Sequence, residues 1–461
     1  MYKKSFIVFI VILGLLFFVS CSKNTQSTTE SSSTKSATAA GKIVILGPAC
    51  SLKAEQDAWD SVLSKFTVET GIEVEQQRQG TWDDTLQKLQ TKRMAKEQVD
   101  LVVVGMGTVS ATLAPAGQVM DLTDLMAPYM DRFPDGVLDS CTLGGRLWVI
   151  PYQDASGTTC FYNPDLFEKY GLSIPTNLEE WIEVAKVFTE NGIIPFMIQG
   201  GDSWSWAMPF FDTYGQATGG TSVEKVQAWL SGEMSFENEE VYEALNALKS
   251  LYDNGILTSE SLATNEDAML ANFVQGKVAM IFGGTWIYAP LKNMNPSFEI
   301  RANEFPSVIA GAKPVHAFAT GDGALAIPSW VDQDNLDNIM KLVEFLLREE
   351  NAKAIICANA SGSPLFEIVK GAIGESDVVT TFLNEVSVPN SRTYLDWIWP
   401  SVINDAICSV VSEVVSGRMS AEDAASYVQN QLDNLVSQED YQYAWWDEWT
   451  ESQWEAVRPK N

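Results

Sequence analysis

Histidine is nearly absent from these 461 residues, His316 being the only one. That excludes a metal centre held by several imidazoles. It also leaves a Ser-His-Asp triad resting on one residue in the loop-like stretch Lys313-Pro-Val-His-Ala-Phe318. Cysteine is sparse: there are six, none in a Cys-x-x-Cys spacing. One of them, Cys21, belongs to an export signal described below, so an odd number remains, which argues against a disulfide framework and a structural zinc site and points to buried thiols. Positive charge is scarce too, with 30 Lys and Arg against 60 Asp and Glu and a net charge of −30. Such a field repels nucleic acid and anionic lipid and disfavours polyanionic substrates, leaving neutral or cationic ligands. Gly105-Met-Gly107 forms neither phosphate-binding glycine pattern, so no nucleotide is implied. Asp332-Gln-Asp-Asn-Leu-Asp337 begins like a calcium loop, but Leu336 stands where an oxygen is needed and the glycine is missing. It reads as a helix start, and neither metal nor cofactor is expected.

No apolar run is long enough to span a bilayer as a stable helix. Phe6 to Val19 is too short, and with Lys3 and Lys4 before it reads as an export signal over residues 1–20. Cys21 directly after Ser20 looks like a lipoprotein processing site, at which the thiol is acylated and becomes the new N-terminus. Phe18 and Val19 depart from the usual residues before that cysteine, and a plain secreted protein is the alternative. Residues 21–41 are rich in Ser and Thr without apolar period, as in a flexible tether.

What is present is an ordinary globular core, 46% hydrophobic and long enough for two or three compact units. Lys42–Leu46, Ala54–Glu69, Ile72–Gln76, a helix capped by Thr81, and Asp100–Gly105 alternate as strand, helix, strand, helix, strand. That order predicts a parallel sheet with crossover helices. Ligands on such sheets sit beyond the carboxyl ends of the strands, here near Gln79, Trp82 and Gly105-Met-Gly107. Gly144–Gln153 predicts a turn and a further strand. Thr176 and Glu179 form a capping box for a helix carrying Trp181, Val184, Ala185 and Phe188. The apolar Ile193–Ile198 then gives way to Gly200-Gly-Asp202-Ser-Trp204. A helix stopped by Gly276 leads into the strand Val278–Phe282, which Gly283-Gly284 breaks just before Trp286. Glycines at a strand end leave room for a ligand to approach the backbone, and an indole beyond them offers a flat apolar face. A core tryptophan after a tight turn is the bland alternative for Trp286. The tail Tyr443-Ala-Trp-Trp-Asp-Glu-Trp-Thr-Glu-Ser-Gln-Trp454 predicts a helix docked on its own lobe, with Trp445 and Trp446 sharing a face with Trp449.

The order and spacing of WDDTLQKLQT, DLVVVG, GRLWVIPY, FYNPDLFEKYGL, PTNLEEW, GGDSW, GKVAMIFGGTWI, GDGALAIP, LVEFLLREENAKAI and SGRMSAEDAASYVQNQLD resemble the extracellular solute-binding proteins of carbohydrate ABC transporters, the class of maltose-binding protein. The resemblance covers nearly the whole mature chain. It implies an α/β fold of two lobes, each a mostly parallel sheet flanked by helices, closing on a sugar in the cleft between them. Lobe 1 would comprise 42–152 and 320–364, and lobe 2 would comprise 153–319 and 365–461, with a late crossing near Ser363-Pro364. In this family Trp286 matches the cleft tryptophan, and Trp399 matches the aromatic that stacks on sugar at the start of the late helix. Asp202, Trp204 and Asp322 come next. Gln79, Trp82, Gln153 and Asp154 lie on the right loops but match less specifically.

The implied protein is a monomer, lipid-anchored through Cys21 to the outer face of the cytoplasmic membrane or the cell surface. It delivers a mono- or oligosaccharide to the transmembrane permease subunits of an importer and performs no catalysis. The alternatives are a receptor feeding a sensory system, a binder of a non-sugar solute such as a polyamine, and a secreted glycoside hydrolase, which needs two suitably spaced carboxylates.

Overall fold

The computed structural model describes residues 41–47, 53–80, 82–133, 138, 141–152, 154–359, 391–392, 395–438 and 444–460. The export signal, the tether, Cys21, Thr81, Gln153 and the Ser363-Pro364 crossing lie outside the described residues. Among the described residues no helix is long and apolar enough to cross a membrane.

Two sheets organise the chain. In the first, Lys42–Leu46 lies between Glu73–Gln77 and Leu101–Val104, parallel to both, and Ala324–Ala326 adds an antiparallel edge. Its central strands are hydrophobic on both faces because helices cover both sides. Lys53–Thr70 contributes Trp59, Val62, Leu63 and Phe66, with Trp59 against Tyr152 at 5.4 Å and Phe66 against Phe345 at 5.3 Å between ring centres. Buried Asp100 ties this sheet to the later chain, accepting hydrogen bonds from the Val44 amide at 2.7 Å and the Asn335 side chain at 3.1 Å.

The second sheet runs in the order Ser391–Arg392, His316–Asp322, Asp154–Tyr162, Val278–Gly284, Ile194–Met197, with Arg301–Asn303 also pairing Asp154–Tyr162. It is mixed rather than mostly parallel. Asp154–Tyr162 and His316–Asp322 are antiparallel to each other, and both lie on the stretches where the chain passes from one sheet to the other. His316, expected in a loop, opens the second of these strands. Gly323 turns that strand into Ala324–Ala326 of the first sheet with φ of 62°, a value glycine adopts at no steric cost. Buried Asp212 clamps the two passing strands, accepting from the Thr158 hydroxyl and the Ala317 amide at 2.9 Å each.

Several local expectations shift by a residue or more. The helix after Pro175 is capped by Asn177, whose side chain accepts from the Glu180 amide, and it is Glu180, not Glu179, that reaches back to Thr176. Gly144–Gln153 forms no long strand: Thr142–Leu143 and Arg146–Leu147 make a short hairpin, and the long strand starts at Asp154. Asp332 does start a helical segment, accepting from the Asp334 amide.

The tail departs most from expectation. Helix Ala421–Val436 packs on Glu239–Asp253 and Ser401–Val415 of the second half. Residues 445–460 then return to the first half as two short helices, Trp445–Glu448 and Glu451–Val457. There Trp445, Trp449 and Trp454 surround the fully buried Trp148 at 5.5, 6.2 and 6.1 Å. The Val457 carbonyl accepts from the Asp121 amide, and the Lys460 amide donates to Gln333. Placing all of 365–461 in the second lobe does not anticipate this return.

Candidate functional site

Ile194–Met197 and Val278–Gly284 run parallel, so their carboxyl ends open at the same edge, where a ligand of an α/β sheet is expected. Both ends carry a glycine pair, and the protein itself occupies the space each provides. A β-carbon on Gly200 or Gly201 would fall 2.7 Å from the Ser261 carbonyl oxygen or 2.8 Å from that of Ala263. The two glycines therefore let this loop lie against the turn at 261–264. Gly283 and Gly284 do not break their strand; they belong to it, opposite Thr159 and Thr158. A β-carbon on Gly284 would sit 1.7 Å from Cζ3 of Trp286. The indole lies back over its own strand, one face on the Gly284 backbone.

Trp286 is half-buried there, and Trp204, 44% exposed, lies 6.1 Å away with its ring tilted by 45°. Asp202 stands in the same loop as Trp204, and one of its carboxylate oxygens accepts from the Glu266 amide at 2.9 Å. It thus satisfies a first-turn donor of helix Glu266–Val274, which Asn265 caps in the ordinary way. Burial raises the pKa of the Glu266 carboxyl, and the Asp202 charge adds to the shift, while hydrogen bonds from Trp286 and Gln199 oppose it. Gln199 is buried, and its side-chain carbonyl oxygen finds no partner among the described residues. Two tilted indoles, a half-buried carboxyl and an unsatisfied amide oxygen thus share one strand edge. Such a set can hold a ring with an apolar face and hydroxyl edges.

The sequence misses Glu266 and Gln199. Gln199 was within reach, since it directly follows the apolar run Ile193–Ile198. Glu266 leaves no local mark beyond the preceding Asn265; only the tertiary fold brings it under Trp286.

The other expected residues are distributed differently. Trp399 is 1% exposed, packed on Phe211 at 5.6 Å, with its indole nitrogen donating to Asn404. With no face open it serves as core, not as a stacking platform. Gln79 and Trp82 stand on the first sheet, past the end of Glu73–Gln77. The Gln79 amide donates to the Gln77 carbonyl, and Trp82 is 41% exposed at the start of its helix. Asp154 and Asp322 are register partners on the two passing strands. Cys141, Cys160 and Cys408 are buried thiols. Burial pushes the Cys408 thiol up to about 12 and Cys160 well above the ordinary range, which disfavours the thiolate form of both.

This edge is found in a fold that recurs among solved structures. A raffinose complex of the solute-binding protein RafE superposes with a TM-score of 0.69 at 19% identity over 85% of this chain and 99% of that one. A chitin oligosaccharide binding protein gives 0.72 at 18% identity over 85% and 98%, and maltose-bound MalE3 of T. maritima gives 0.70 at 19% over 86% and 100%. At these identities the likeness establishes the two-lobed α/β fold. In sequence, the multiple sugar-binding protein of Streptococcus mutans serotype c is 20% identical over 220 residues, 47% of this chain and 51% of that protein. The alpha-glucosides-binding periplasmic protein of Rhizobium meliloti is 24% identical over 213 residues, 44% and 45%. The match spans about half the length of these curated relatives. The description of the bacterial extracellular solute-binding proteins matches residues 51–353, well over half the chain, and this protein belongs to that family.

Proposed function

We propose that this protein is the sugar-binding receptor of an ABC importer, capturing a mono- or oligosaccharide by lobe closure and handing it to the membrane permease. The observation that carries the reading is the Trp204–Trp286 pair beside the unsatisfied Gln199 oxygen and the Glu266 carboxyl. The indole faces offer stacking, and the half-buried Glu266 carboxyl offers a hydrogen-bond partner for a hydroxyl. In this reading Gln79 and Trp82 contribute from the first sheet, and Asp154 and Asp322 lie where the chain passes between the lobes. A ligand touching both lobes favours the closed state because only there does it make both sets of contacts. The names of the relatives, which bind raffinose, maltose, chitin oligosaccharides and alpha-glucosides, support the ligand class. Export and acylation at Cys21 would hold the receptor beside its permease.

A thermal-shift screen of residues 40–461 against mono- and oligosaccharides, with product analysis of each mixture, tests the proposal. A raised unfolding temperature with the sugar recovered intact is the expected result. Release of smaller sugars would point to a hydrolase. A response confined to polyamines or peptides would overturn the sugar assignment.

A further inference from the structure

The pole of the first sheet opposite Gln79 and Trp82 carries a surface that sugar binding leaves unused. In a parallel sheet each crossover helix runs back against the strands, so its last turn lies at their amino ends. Lys53–Thr70 and Trp82–Ala95 therefore finish where Lys42–Leu46 begins. The hydrogen bonds agree: the Glu73 amide donates to the Gly41 carbonyl at 3.2 Å, and the Gln98 side chain donates to the Lys42 carbonyl at 2.9 Å. The chain arriving from Cys21 thus joins the molecule at this pole, and residues 22–40 limit its distance from Cys21 to roughly 65 Å when fully extended.

Two features set this pole apart. Val68 and Met94, 85% and 78% exposed, are the most exposed large apolar side chains among the described residues, and each lies in the last turn of one of these two helices. Near them Lys65, Lys88, Arg93 and Lys96 are exposed, in a chain whose net charge is −30. Lys65 stands three residues before Val68 on the same helix face, and Arg93 lies over Trp330 at 5.7 Å. Of the neighbouring acids, Glu69, Glu75 and Glu97 are held by Arg348, Lys42 and Lys92, which leaves Glu73 against the four exposed cations. A helix's last turn favours cations without any partner. It does not favour an exposed valine and methionine beside them.

We infer that this pole docks on an anionic phospholipid surface, its basic side chains against the headgroups and Val68 and Met94 entering the interface. The inference rests on export and acylation at Cys21. A net charge of −30 keeps an untethered chain off such a surface, whereas a tether holds the pole beside it at high effective concentration. The loops at Gln79 and Trp82 then face away from the bilayer, open to arriving ligand.

The test bypasses acylation. The chain from residue 22, carrying an N-terminal hexahistidine tag, is held at equal density on nickel-chelating phosphatidylcholine vesicles with and without phosphatidylglycerol, and exposed methionines are read by oxidative footprinting. Met94 oxidation should fall about threefold on the phosphatidylglycerol vesicles, with Met294 of the second half unchanged. Lys88→Glu/Lys96→Glu should restore it, and so should salt at about 0.5 M, which needs no variant to fold. Equal Met94 oxidation on the two vesicle types overturns the inference. So does protection that ignores both salt and the double variant, or that follows protein density, which marks a contact between copies. Mass spectrometry of the exported chain reads acylation separately: docking of the tagged chain with an unmodified Cys21 supports the surface and removes the anchor.

Discussion

Two tryptophan-rich regions of this molecule look alike in sequence and differ in what surrounds the rings. Around Trp148 the indoles satisfy one another: Trp445, Trp449 and Trp454 close on it from several sides, with the Arg146 guanidinium 5.6 Å from the Trp454 ring centre. At the strand-end edge Trp204 and Trp286 leave surface open, and an amide oxygen without a partner and a carboxyl with a raised pKa lie beside them. Aromatic density does not distinguish a core from a site. Open ring surface does: Trp204 is 44% exposed and Trp286 half-buried, whereas Trp148 is fully buried.

The contrast can be broken most forcefully at Trp148. Trp148→Ala removes a fully buried indole and should cost about 3–5 kcal/mol of stability in urea denaturation, with sugar affinity unchanged. Trp399→Ala should behave the same way because its ring is equally enclosed. A loss of sugar affinity at wild-type stability would instead return Trp399 to the site. Next in size is Trp286→Ala, expected to weaken sugar binding by about 1–3 kcal/mol in calorimetric titration while the denaturation midpoint moves little. Unchanged binding would remove Trp286 from the site. The smallest effect is expected at Glu266. Its pKa is raised in the folded state, so the stability contributed by its protonated form is present at acid pH and is lost as pH rises from the ordinary glutamate value through the raised one. Glu266→Gln never ionises. It should therefore match the parent in acid and exceed it in stability at neutral pH, as read from urea midpoints at the two pH values. A difference that instead grew toward acid pH would reverse the assigned sign.

Most of the fold was legible because its signals are local. Gly171 and Gly276 stop helices where the apolar spacing ends, and both take positive φ. Ser420 caps the late helix by accepting from the Asp423 amide three residues on, a local pairing of residue types common at helix starts. The site was legible only in part. Glycine pairs at strand ends point to the edge proposed here to bind ligand, although they serve a different physical purpose, since their missing side chains admit Trp286 and the 261–264 turn. Whether Trp399 or Trp286 keeps an open face depends on neighbours such as Phe211 and Trp204 that no local period specifies. The same holds for the tail, whose partner Trp148 lies far away in the sequence.

That separation bears on how the chain acquires its structure. Trp148 belongs to the part of the chain made early, yet the rings that enclose it arrive with residues 445–454. Until they have been synthesised, the first half carries an open apolar hollow beside its hairpin, and its amide at Asp121 lacks the Val457 carbonyl. Contacts of such long sequence separation form late, since closing a large loop is entropically costly. Completion of the first half therefore waits on residues 445–457, which reach it only after the chain of the second half.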